Sequence, residues 1–152
     1  MARFNYLLVL ITISVFSISC NVDNEPIPDN VIESPTGLNI DLEWSTGGSA
    51  VQSTADVDLD LFMYSGPDDV AFSETTDFER VRLENFFRNG TYIVRITYFD
   101  GISDVNWTLY VGSPDSDKDI ILKDFFSRND VGIQVDYIEI VKNGTTYTIN
   151  LL

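Results

Sequence analysis

The residues that could do chemistry in this chain are nearly all carboxylates. Its 152 residues include 24 Asp and Glu against 9 Lys and Arg, one Cys and no His. Without an imidazole, a serine or cysteine nucleophile has no proton relay. Zinc sites built on His and Cys lose their usual ligands, and no glycine-rich phosphate loop occurs. A pair of carboxylates can hydrolyse a glycoside, but in so acidic a chain a pair carries no information. No enzymatic activity is expected.

Two groups of aspartates have regular spacing. In TADVDLDLFMY, residues 54–64, Asp56, Asp58 and Asp60 take every second position and Val57, Leu59 and Leu61 lie between them. On a strand, residues two apart share a face at about 7 Å. At that distance two charges repel by about 0.6 kcal/mol in water and about 2.4 kcal/mol at an effective dielectric of 20. Solvation of the polar face is the expected remedy, with the aliphatic trio in the core. Pairing with Arg80, Arg82 or Arg95 across the sheet is a second. A Ca²⁺ ion, which takes six to eight oxygens, is a third; Asp68 and Asp69 in the next turn would have to help. The other group is Asp115, Asp117 and Asp119 in PDSDKD. Its sixth position is Ile120, where an EF-hand loop needs glycine. Ca²⁺ is thus the one candidate cofactor, at Asp56, Asp58 and Asp60 or at Asp115, Asp117 and Asp119.

Aromatic side chains offer another kind of contact. Trp44 and Trp107 keep step with apolar neighbours and are expected in the core. Phe62, Tyr64, Phe99 and Tyr110 fall on the other parity. If exposed, they could stack on sugars or peptides.

The elements carrying these groups read as strands. NIDLEWS, VDLDLFM, FERVRLENF, TYIVRITYF and VNWTLYV alternate apolar and polar residues, the mark of half-buried strands. DIILKDFF is more apolar on both sides, and GIQVDYIEIV and TTYTINLL close the chain. Turn sequences separate them at Ser65–Asp69, Asn89-Gly90, Asp100-Gly101 and Asn143-Gly144. The last predicts a type I′ hairpin. No helical periodicity exceeds two turns, though KDFFSRND could hold one short turn. About eight strands with frequent turns predict an all-β fold, an antiparallel β-sandwich of jelly-roll or Greek-key kind over residues 37–152.

The N-terminus, MARFNYLLVLITISVFSISC, has one Arg before an apolar run from Tyr6 to Phe16. That run is too short for a membrane span and has the length of a signal-peptide core. Ser17-Ile18-Ser19-Cys20 resembles a bacterial lipobox, with Ser17 where Leu is commoner. The resemblance implies a signal peptide over residues 1–19 and lipidation of Cys20. Two or three acyl chains make a stable anchor. Residues 20–36 contain Pro26, Pro28 and Pro35 with Asp23, Glu25, Asp29 and Glu33, the composition of a disordered acidic tether. Asp23 and Glu25, soon after Cys20, resemble the surface-export signal of some bacterial lipoproteins.

DVDLDLFMYSG, FERVRLENF, NGTYIVRITYF and VNWTLYV together resemble the bacterial pre-peptidase C-terminal domain over about residues 56–111. Gly90-Thr91-Tyr92, Val94 and Ile96 fit its third element. The resemblance implies a β-sandwich accessory domain of a secreted protein, some of whose relatives bind calcium or matrix ligands. This chain departs from it by having no attached protease and by continuing for about forty residues.

A net charge of −15 argues against nucleic acid. It also disfavours adsorption to anionic headgroups, and it attracts divalent cations and basic ligands. The expectation is a non-enzymatic binding or adhesion module held by a lipid at the cell envelope, probing an extracellular or periplasmic ligand. An outer-membrane location fits that address, with surface exposure implied by the resemblance of Asp23 and Glu25 to an export signal. The alternative is a structural accessory subunit of an envelope complex.

Overall fold

The computed structural model describes residues 28–152. The expected signal peptide over residues 1–19, Cys20, Asp23 and Glu25 lie outside the described residues.

Ten strands form two antiparallel sheets. One has six strands in the order β1 (Val31–Glu33), β10 (Thr146–Leu151), β9 (Gln134–Asn143), β6 (Gly90–Gly101), β3 (Val57–Ser65) and β4 (Asp68–Ser73). The other has four, in the order β5 (Glu79–Glu84), β2 (Gly37–Ser45), β7 (Val105–Ser113) and β8 (Ser116–Phe126). The chain passes repeatedly from one sheet to the other, so most neighbouring strands are distant in sequence, as a Greek-key sandwich requires. The links β2–β3, β4–β5, β6–β7 and β8–β9 and the C-terminus gather at one end. The turns β1–β2, β3–β4, β5–β6, β7–β8 and β9–β10 lie at the other.

Alternation builds the core. Leu38, Ile40 and Leu42 of β2, Leu59, Leu61 and Met63 of β3, Val94, Ile96 and Tyr98 of β6, and Leu109 and Val111 of β7 are all fully buried. A buried aliphatic side chain contributes about 1.5–3 kcal/mol, and a one-residue slip of any of these strands would expose its whole set. Trp107 is also core, with the Tyr137 ring edge-on at 4.5 Å. Trp44 is half-buried at the core margin and donates from Nε1 to the Val57 carbonyl at 3.1 Å.

Three local expectations change. The tether does not run to residue 36: Val31–Glu33 pairs with β10, Ile32 is buried, and Ser34 Oγ donates to the Gly37 carbonyl at 2.8 Å. Proline and charge marked this stretch as loop, but one apolar side chain and an open sheet edge suffice for a strand. The β9–β10 hairpin is not type I′. Gly144 has φ 61° and, among the described residues, only glycines have positive φ, which is the pattern of a type II′ turn with glycine first. The chain also contains one two-turn helix, α1 (Ala50–Asp56), started by Ser49, whose side chain accepts from Gln52 N. The short turn expected near residue 128 is a 3-10 helix, Arg128–Asp130.

Candidate functional site

The three aspartates of the 54–64 stretch do not form one solvated face. Asp56 ends α1 and accepts from Gln52 Nε2 at 2.6 Å. Asp58 is half-buried opposite Asp100 of β6. Asp60 stands opposite Thr97 and is only 4% exposed. Its cover has a simple origin. β4 pairs with β3 only from Leu61 to Ser65; the chain then crosses to the other sheet through residues 74–78, and β3 touches β5 directly.

Glu79 arrives by that crossover. It sits on β5 with the inward parity of Val81 and Leu83, and it is fully buried. Its Oε1 accepts from Thr75 N at 2.7 Å and from Thr75 Oγ1 at 2.8 Å. Glu79 Oε2, Asp58 Oδ1 and Thr97 Oγ1 are buried without a hydrogen-bond partner among the described residues. Burial pushes the Asp60 carboxyl up to about 6, and the charges of Asp58, Glu74 and Glu79 push the same way. Burial likewise raises Asp58, with Asp100 adding to it. Burial raises Glu79 too, against the hydrogen bonds from Thr75 that favour its charged form.

The arginines do not relieve this cluster. Arg80 pairs with Asp41, Arg82 with Glu84 and Arg95 with Asp136. Register decides it, because Asp41 lies directly opposite Arg80 and Asp136 directly opposite Arg95. Arg95 Nε donates to Asp136 Oδ1 at 2.7 Å, its guanidinium lies 4.8 Å over the Tyr64 ring, and Tyr64 Oη donates to the same carboxylate. That guanidinium holds the Asp136 carboxyl below its ordinary range.

Among the described residues no group of three or more carboxylates is arranged to hold a metal ion. Asp115 Oδ2 accepts from Ser34 Oγ at 3.3 Å and from Thr36 Oγ1, Asp117 is exposed, and Asp119 turns toward Gly112. The two sequence trios therefore do not converge on single points.

The aromatic row divides between the sheets. Phe62, Tyr64 and Phe99 belong to the six-stranded sheet and Tyr110 to the four-stranded one. Tyr110 lines a groove of about 380 Å³ on the outer face of β5, β2 and β7. Arg80, Asp41 and Tyr110 stand in one register row across it. Arg80 Nη2 donates to Asp41 Oδ2 at 2.7 Å, and the guanidinium lies 5.2 Å from the centre of the Phe78 ring. Glu43 and Asp119 also face the groove. Gly112 admits Asp119, since a Cβ there would collide with its carboxylate. The groove offers two aromatic walls, a guanidinium and free carboxylates. It can stack and hydrogen-bond a ligand, and it contains no paired nucleophile and base.

Glu79, Thr97 and the Gly112–Asp119 contact are absent from the sequence reading. Glu79 had a signal: it precedes Val81 by two in FERVRLENF and so shares the core parity. The contact between Gly112 and Asp119 had none, because it depends on the turn between β7 and β8. No family model matches the chain, and neither a curated protein nor a solved structure matches it. Among the described residues no helix is long and apolar enough to cross a membrane.

Proposed function

We propose that this chain is a non-enzymatic binding module of the bacterial cell envelope, anchored by lipid on Cys20, with its ligand face in the groove of the four-stranded sheet. The groove carries this reading. At about 380 Å³ it has the size of a small-ligand site. Its Tyr110 and Phe78 rings offer flat contact, and Glu43 and Asp119 accept hydrogen bonds. The carboxylates favour a donor-rich ligand, neutral or basic, over an anionic one. The lipobox resemblance supports the address, and the absence of His supports binding over catalysis.

A panel of immobilised neutral glycans and short basic peptides tests it, with the full chain as analyte. Binding that falls at least tenfold in Tyr110→Ala and in Glu43→Gln, with melting temperatures unchanged, is the expected result. A panel that binds both variants as tightly as the parent, or binds no form of the chain, removes the groove as the ligand face.

A further inference from the structure

The end of the sandwich that holds the β6–β7 and β8–β9 links exposes an unusual amount of apolar surface. Phe99 is 61% exposed, Ile102 76%, Val131 41% and Ile133 44%. Scattered apolar side chains need no explanation, but a contiguous group does. Hydrogen bonds tie together the loops that carry these side chains. Gly132 N donates to the Tyr98 carbonyl at 2.7 Å and Tyr98 N to the Ile133 carbonyl at 3.0 Å, which places Gly132 and Ile133 alongside Tyr98, the residue before Phe99. Ile102 N donates to the Asp56 carbonyl at 2.9 Å, and Arg128 N donates to Asp104 Oδ1 at 2.8 Å. Tyr98 Oη donates to the Ser103 carbonyl at 2.6 Å. A reciprocal capping box between Ser127 and Asp130 fixes the start of the 3-10 helix. The loops are therefore ordered before any partner arrives, which lowers the entropic cost of binding.

Charge surrounds this apolar centre. Asp56 at the end of α1, Asp100 near the end of β6, Asp104 in the β6–β7 link and Asp130 in the 3-10 helix lie at this end of the sandwich, with Arg128. An apolar centre inside a charged rim is the anatomy of a protein interface. We propose that this end docks a protein partner presenting an apolar pocket ringed by basic side chains. The acidic rim selects that occupant. It repels an anionic bilayer, and a second copy of the chain would set two acidic rims against each other. The surface lies apart from the groove residues Tyr110, Glu43 and Asp119 and stands whether or not the groove binds a ligand.

The test uses the full chain, the double variant Phe99→Ser/Ile102→Ser, and Phe86→Ser as a control. Phe86 is equally exposed, at 82%, but lies in the β5–β6 turn at the opposite end. The probe is a synthetic amphipathic helix of Leu and Lys, measured at low and high salt, with neutral phosphatidylcholine vesicles and sedimentation run in parallel. Expected is salt-sensitive peptide binding that drops at least tenfold in the double variant and is unchanged in Phe86→Ser, at constant melting temperature. No peptide binding at low salt, or equal loss in both variants, overturns the proposal. So does vesicle binding, or a dimer, that the double variant abolishes, since either gives the surface a different occupant.

Discussion

Asp60 and Glu79 belong to opposite sheets, yet both carboxyls are buried at the same crossover and the charge of Glu79 helps to raise the proton affinity of Asp60. No salt bridge reaches either of them among the described residues. The folded chain therefore holds protons here that the unfolded chain gives up. For a carboxyl raised from 3.8 to about 6, the contribution to stability is complete below about pH 3.8 and is lost as pH rises through about 6. A shift of that size corresponds to about 3 kcal/mol between the two limits. Asp60→Asn should accordingly raise the melting temperature at pH 7.5, and the gain over the parent should vanish near pH 4. A gain of the same size at both pH values would mean that ionisation of Asp60 is not what costs stability.

Strand β3 also lets the core and the carboxylates be compared at one place. Leu59→Ala removes a fully buried side chain and should cost about 2–5 kcal/mol, because the cavity collapses only in part. Asp56→Asn, at the end of α1, should cost less than about 1 kcal/mol, since it keeps an oxygen that can accept from Gln52. Chemical denaturation of both variants measures the difference. Similar losses would mean that the alternation of β3 does not fix its register through the aliphatic set.

The strands, their inward faces and the two-layer architecture were legible because alternation has a single physical cause, one wet and one dry side. Parity assigned Leu59, Leu61, Val94, Ile96, Trp107 and Leu109 to the core, where they are found. Parity names a face but does not say how well that face is covered. Asp60 was misread for that reason: it is buried where β3 meets β5 and the chain brings Glu74 and Glu79 near it, a path that depends on tertiary packing. Pairing of the arginines with the aspartate trio, one of the alternatives, does not occur, because pairing follows register between strands distant in sequence, as Arg95 and Asp136 are. The tether was drawn too long because Val31-Ile32 is only a pair of apolar residues among prolines and acids, below the length at which a pattern can be seen. The groove was half legible: Tyr110 was singled out, while its neighbours came together only through the order β5, β2, β7 and β8.

The proposed lipid anchor has a direct test in cells. A clickable palmitate analogue should label the full chain, and Cys20→Ala should abolish the label and leave the protein out of the membrane fraction, because Cys20 is the only thiol in the sequence. Label that persists in Cys20→Ala would refute lipidation at this residue.

Gly112 and Asp119 form a pair in which the smaller residue permits the position of the larger. A Cβ on Gly112 would overlap the Asp119 carboxylate, and it would also approach Cγ to 3.1 Å. Asp119 is on the exposed parity of β8, so its side chain can swing away into solvent. Gly112→Ala should then cost only about 1 kcal/mol, and part of that is offset because alanine loses less backbone entropy than glycine on folding. The displaced carboxylate leaves the groove. Ligands that depend on Asp119 should bind Gly112→Ala and Asp119→Ala equally poorly, while adding Asp119→Ala to Gly112→Ala should cause no further loss of affinity and should recover stability. A double-mutant cycle in melting temperature and in binding measures this coupling. Strictly additive losses in both quantities would show that Gly112 acts through the strand backbone and not through the Asp119 side chain.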